Sequence, residues 1–121
     1  MASGSDLSHE KYLRGRAAMD NADFQGAIEL FKESVQLTPH FKTLELLGEC
    51  WLKNNQPLDA IIALAAAVGL GTNAFRATYL LAQAYFEIGE KRAALKYVER
   101  ALAMKPDFKS ARELKDSIDA A

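Results

Sequence analysis

Very little in this chain points to chemistry. There is one cysteine, Cys50, so no internal disulfide framework can exist. There are two histidines, His9 and His40, and three prolines. Fifteen basic residues nearly balance sixteen acidic ones, for a net charge of −1. That balance excludes the basic footprint of a general nucleic-acid binder. No apolar run approaches the roughly 18 residues that a membrane span needs, and the longest, Ala60 to Val68, falls well short. Met1 to Ser5 lacks the charged start and apolar core of a signal peptide. No paired-cysteine metal motif, phosphate loop or Ser-His-Asp order is present. Gly69-Leu70-Gly71 is the one glycine-rich spot, too short to cradle phosphate and better read as a helix-to-helix turn. These readings predict no enzyme, no cofactor, no metal, no nucleic-acid partner and no membrane partner. The expected location is the cytoplasm, although a secreted form stripped of its signal would read the same.

What is present is a repeat. Gly15, Gly48 and Ala82 are spaced by 48 − 15 = 33 and 82 − 48 = 34 residues. Ala27, Ala60 and Ala94 keep the same step, as do the bulky Phe31, Leu64 and Val98 and the small Ser34, Ala67 and Ala101. A period near 34 residues marks a helical solenoid. Half of the 121 residues are hydrophobic, enough for stacked hairpins to share a core.

Each repeat divides into two helical halves. Ser8 to Asn21 and Phe24 to Leu37 flank a break at Ala22-Asp23, where Asp23 suits an N-cap. Thr38 and Pro39 read as the cap and first residue of the next helix. The second repeat runs Phe41 to Asn54, turns at Asn55-Gln56 and resumes at Pro57 to Val68. The stretch 69–73 breaks the chain before Phe75 to Ile88, Gly89 and Lys91 to Met104. Close helix approach explains the small ladder, with Gly15 expected opposite Ala27 and Gly48 opposite Ala60. Pro106-Asp107-Phe108-Lys109-Ser110 echoes Pro39-His40-Phe41-Lys42-Thr43, so the tail reads as a seventh, capping helix. The expected organisation is a flexible lead-in over 1–7, then one domain over 8–121. Its repeats cover about 8–40, 41–74 and 75–108, with the cap over about 107–120. Both ends read as finished, giving a self-contained module.

These residues resemble the tetratricopeptide repeat. The second repeat supplies Leu47-Gly48, Trp51, Ala60, Leu64 and Ala67; the third supplies Leu81-Ala82, Tyr85, Ala94, Val98, Ala101 and Pro106. The first supplies Gly15, Ala27, Phe31, Ser34 and Pro39, and departs from the pattern at Arg14 and Ala18; Thr72 departs in the second. The resemblance implies an all-α, right-handed superhelix whose first helices line a concave groove. It also implies a non-catalytic module that binds a peptide or helix of a partner protein. Self-association through the groove or the terminal helix, giving a homo-oligomer scaffold, is the alternative.

Transferring the family's inner-face positions places His9, Tyr12, Leu13, Arg16, Met19 and Asp20 in the groove from the first repeat. The second contributes Lys42, Glu45, Leu46, Glu49, Leu52 and Lys53. The third contributes Arg76, Tyr79, Leu80, Gln83, Phe86 and Glu87. The partner-binding set selected from these is Tyr12, Arg16, Met19, Lys42, Glu45, Leu46, Glu49, Lys53, Arg76, Tyr79, Gln83 and Phe86. Balanced charge with apolar side chains fits a peptide with apolar anchors and mixed charge. Some family members grip acidic chaperone tails with a carboxylate clamp. The matching places here are Tyr12, Arg16, Leu46, Arg76 and Leu80, of which Leu46 and Leu80 offer no donor. The expectation is therefore no clamp-type binding. Cys50 reads as a small buried hydrophobe.

Overall fold

The computed structural model describes residues 3–121, which form seven helices. They are α1 (Gly4–Asp20), α2 (Phe24–Leu37), α3 (Phe41–Lys53), α4 (Pro57–Leu70), α5 (Phe75–Glu87), α6 (Lys91–Met104) and α7 (Lys109–Ala120). Three helix starts depend on identifiable chemistry. At α1 the Ser3 hydroxyl accepts from the Asp6 amide at 3.1 Å, and the Asp6 carboxylate accepts from the Ser3 amide at 3.3 Å. This reciprocal capping box starts the helix at Gly4, so the lead-in expected over 1–7 is corrected to helix from Gly4; Met1 and Ala2 lie outside the described residues. Asp23 caps α2 as expected, taking the Gly26 amide at 2.9 Å. The cap of α3 is His40, whose Nδ1 accepts from the Lys42 amide at 3.2 Å. Thr38 instead ends α2 in an extended conformation, the conformation that a following proline favours. α4 continues through Gly69 to Leu70, and the break falls at 71–73.

The three hairpin turns share one geometry. Ala22, Asn55 and Gly89 adopt φ of 59°, 60° and 83°. The next amide in each case reaches back five residues: Asp23 to the Ala18 carbonyl at 2.9 Å, Gln56 to Trp51 at 2.8 Å and Glu90 to Tyr85 at 2.9 Å. This bond is the long-range half of a Schellman motif, which satisfies a carbonyl left free at a helix end. Asn55 and Gly89 enter the left-handed region at low cost. Ala22 does not, since its Cβ crowds the following carbonyl by about 1–2 kcal/mol.

Consecutive helices pack against one another, and α3 also touches α5, which touches α7. The odd-numbered helices thereby line one side of a right-handed superhelix, and the even-numbered ones face outward. Phe31, Leu64 and Val98 are completely buried. The nearest neighbours of the glycine ladder are these bulky side chains, Phe31 at Gly15 and Leu64 at Gly48. A Cβ on Gly15 would stand 2.7 Å from the Phe31 ring, and one on Gly48 would overlap Leu64. Where the third repeat carries the smaller Val98, the glycine gives way to Ala82 in the same cluster. Volume is thus traded across each hairpin. At the first repeat the Ser8 and Ser34 hydroxyls each donate to the other's carbonyl, at 2.8 and 2.7 Å, a buried crosslink between α1 and α2. At the far end α7 buries Ala111 and Ile118 while Arg112, Glu113, Asp116 and Asp119 face water.

Candidate functional site

The middle of the inner face is a closed charge network. Glu45 is 3% exposed on α3, one turn from Lys42, whose Nζ lies 2.8 Å from its carboxylate. Arg76, in the first turn of α5, spans to Glu45 at 3.2 Å and to Glu49 at 2.5 Å. These four side chains, expected to face a guest, are largely engaged with each other. Burial alone would lower the Arg76 pKa, but its bonds and charge contacts with Glu49 and Glu45 outweigh that and raise it. The guanidinium is therefore firmly cationic.

Leu46, Leu52 and Leu80 do not serve as accessible groove anchors, which corrects the expected placement. They are 8%, 7% and 5% exposed and belong to the core. The cause is the central position of α3, which has α2, α4 and α5 against it, so that every residue from Thr43 to Gly48 is buried. Leu13 errs the other way, more than half exposed on the less covered α1. His9, Arg16, Asp20, Lys53 and Glu87 are exposed, and Tyr12, Met19, Tyr79, Gln83 and Phe86 are half-buried. Tyr12 stacks on His9 at 5.9 Å and tilts against Phe31 at 6.2 Å, with the Arg16 guanidinium 6.0 Å from its ring centre. Tyr79 lies 5.1 Å from the Phe108 ring, and burial raises its phenol pKa.

The charge network lies between two cavities. One, about 340 Å³, opens between α1 and the start of α3 and is lined by Ser8, His9, Tyr12, Thr38, His40 and Lys42. The other, about 330 Å³, is lined by Glu49, Lys53, Arg76, Tyr79, Gln83 and Phe108. Phe108 and Ser110, which lines the same cavity, were absent from the expected site. Their signal was available, because Phe108 repeats Phe41 at 108 − 41 = 67 residues and so marks the entry of another inner helix. Cys50 is fully buried, and burial, then the neighbouring Glu49 charge, pushes its thiol up to about 12. Among the described residues no cluster of three or more His, Cys, Asp or Glu side chains could hold a metal ion. Among them, too, no helix is long and apolar enough to cross a membrane.

This arrangement of stacked hairpins, small-to-large ladders and a lined inner face defines a tetratricopeptide-repeat protein, and the chain belongs to that family. Residues 20–101 match the family model described as "Anaphase-promoting complex, cyclosome, subunit 3". Among curated relatives, DnaJ homolog subfamily C member 3 of Gallus gallus is 29% identical over 106 residues, covering 87% of this chain and 21% of that protein. The chain thus spans about a fifth of the length of the relatives it matches. Among solved structures, the first TPR of Spaghetti (RPAP3), bound to the HSP90 peptide SRMEEVD, superposes with a TM-score of 0.92 at 17% identity, over 96% of this chain and 93% of that one. At that identity the likeness concerns the fold alone. MamA protein superposes with a TM-score of 0.86 at 30% identity, over 93% of this chain and 62% of that one.

Proposed function

We propose that this protein is a non-catalytic interaction module that holds a peptide or helix of a partner protein along its inner face. The observation that carries this reading is the pair of cavities flanking a neutralised ridge. Each cavity pairs an aromatic ring with polar groups, the composition that anchors and orients a guest side chain. Tyr12 serves one cavity, with Arg16 and Met19 further along α1; Lys53, Tyr79 and Gln83 serve the other, with Phe86 further along α5. Glu45 and Leu46 act in support, the first by holding Arg76 and the second from the core. The guest has apolar anchors and mixed charge. Acidic chaperone tails are poor guests, because Arg76 is already occupied by Glu45 and Glu49.

The test is selection from a displayed random-peptide library, followed by calorimetric titration of the selected peptide. Wild type is expected to bind in the micromolar range. The Tyr79→Ala/Phe86→Ala variant, checked by circular dichroism for retained helix, should bind at least about 10-fold more weakly. Equal affinities would remove the groove. A micromolar affinity for SRMEEVD that disappears in Arg76→Ala would overturn the exclusion of acidic tails.

A further inference from the structure

The outward face of α4 has no evident reason to be apolar within a monomer. Leu58 and Ile62 are 67% and 74% exposed, the highest values among the exposed large hydrophobic side chains. Ala65, Ala66 and Gly69 continue the same face toward the C-terminus, all exposed. The positions 58, 62, 65, 66 and 69 follow helical spacing, so they form one stripe. Its opposite face, Ala60, Ala63, Leu64 and Ala67, is the buried one. From Ala60 to Gly71 there is no charged side chain, and Asp59, half-buried at the first turn, hydrogen-bonds Gln56. The outward faces of α2 and α6 differ sharply. α2 exposes Glu29, Lys32 and Glu33, and α6 exposes Lys91, Arg92, Lys96, Glu99 and Arg100.

We infer that this stripe is the contact between two copies of the chain, packed with α4 antiparallel to its symmetry mate. The stripe is large at one end and small at the other. Reversing one copy sets Leu58 against Gly69 of the second and Ile62 against Ala65, so each bulky side chain meets a small one. A twofold interface requires such self-complementarity. This stretch carries no charge that pairing would have to desolvate. Two stripes this short bury less than the roughly 1,000 Å² of a stable specific interface, the range of weak, reversible contacts. The occupant is therefore a second copy held with modest affinity. The surface is separate from the inner face and from α7, so it leaves the groove of each copy open.

The test is sedimentation equilibrium of the full chain from micromolar to millimolar concentration. Wild type is expected to pass from monomer to dimer. Ile62→Glu should weaken dimerisation by about 100-fold, because one substitution places a buried charge on both sides of the twofold axis. At 74% exposed in the monomer, that position should leave the helical circular dichroism and melting of the monomer unchanged. The orientation has its own readout. Leu58→Cys and Gly69→Cys, mixed under mild oxidation, should form a mixed disulfide, while each alone should not, and the buried Cys50 contributes no competing thiol. Wild type that stays monomeric at millimolar concentration would overturn the inference and leave the face to another partner. So would a dimer that survives Ile62→Glu, or single variants that crosslink as well as the mixture.

Discussion

Gly48→Ala puts the volume trade between paired helices to a direct test. Glycine-to-alanine in a helix interior normally gains about 1 kcal/mol. Here the new methyl would meet Leu64 Cδ2 at 2.5 Å and lie closer still to its Cγ, whereas carbon atoms rest at about 3.5–4.0 Å. Leu64 is wholly buried, so it has no free space to enter. Overpacking of this size costs about 1–3 kcal/mol. The offset leaves Gly48→Ala destabilising by about 1 kcal/mol, near the 4 °C in melting temperature expected of a domain this small. Leu64→Val alone should also cost about 1 kcal/mol, by leaving a cavity. Together they recreate the Ala82 and Val98 combination of the third repeat. The double variant should therefore melt within a few degrees of wild type, with a coupling of about 2 kcal/mol in its favour. Urea and thermal denaturation of the four proteins measure the cycle. A Gly48→Ala variant more stable than wild type, or costs that simply add, would refute the reasoning.

The remaining predictions concern a strained turn and a buried thiol. Ala22→Gly removes the methyl from a φ of 59° and should raise stability by about 1 kcal/mol, read as a higher melting temperature. Cys50 is held neutral in the fold up to about 12, against 9.0 when free. The unfolded chain therefore ionises first as pH rises, and the stabilisation present below pH 9 is lost above it, by about 1.4 kcal/mol per pH unit. Urea midpoints should consequently fall faster between pH 9 and 12 for wild type than for Cys50→Ala, and parallel curves would contradict a buried, neutral thiol.

The hairpins were legible because their punctuation is local. Asp23, Asn55, Pro57 and Gly89 each act within a turn of where they stand, and α2, α4, α5 and α6 begin where the sequence places them. The start of α1 was also written locally, as Ser3 followed by Asp6, but a carboxylate three residues after a serine is a faint signal beside a glycine. His40 was harder, since a histidine rarely takes the capping role that Thr38 fits by type. Burial on the inner face was the least legible property. Leu13, Leu46 and Leu80 occupy equivalent places, yet Leu13 is exposed while the other two are buried. The difference lies in how many helices flank each one, and that depends on position in the stack and not on the residue. Glu45 shows the same limit, because its burial relies on an arginine 31 positions away.

The ridge between the cavities has a consequence for which guests can enter. Any incoming carboxylate that seeks Arg76 must evict an incumbent. Glu45 and Glu49 are fastened to the scaffold, and a tethered competitor acts as though present at millimolar strength or above. On the proposed function, a free acidic tail at cellular abundance would lose that contest, whereas a guest that left the ridge alone and filled the hollows on either side would meet no rival. Selectivity, on that proposal, would begin with a seat already taken.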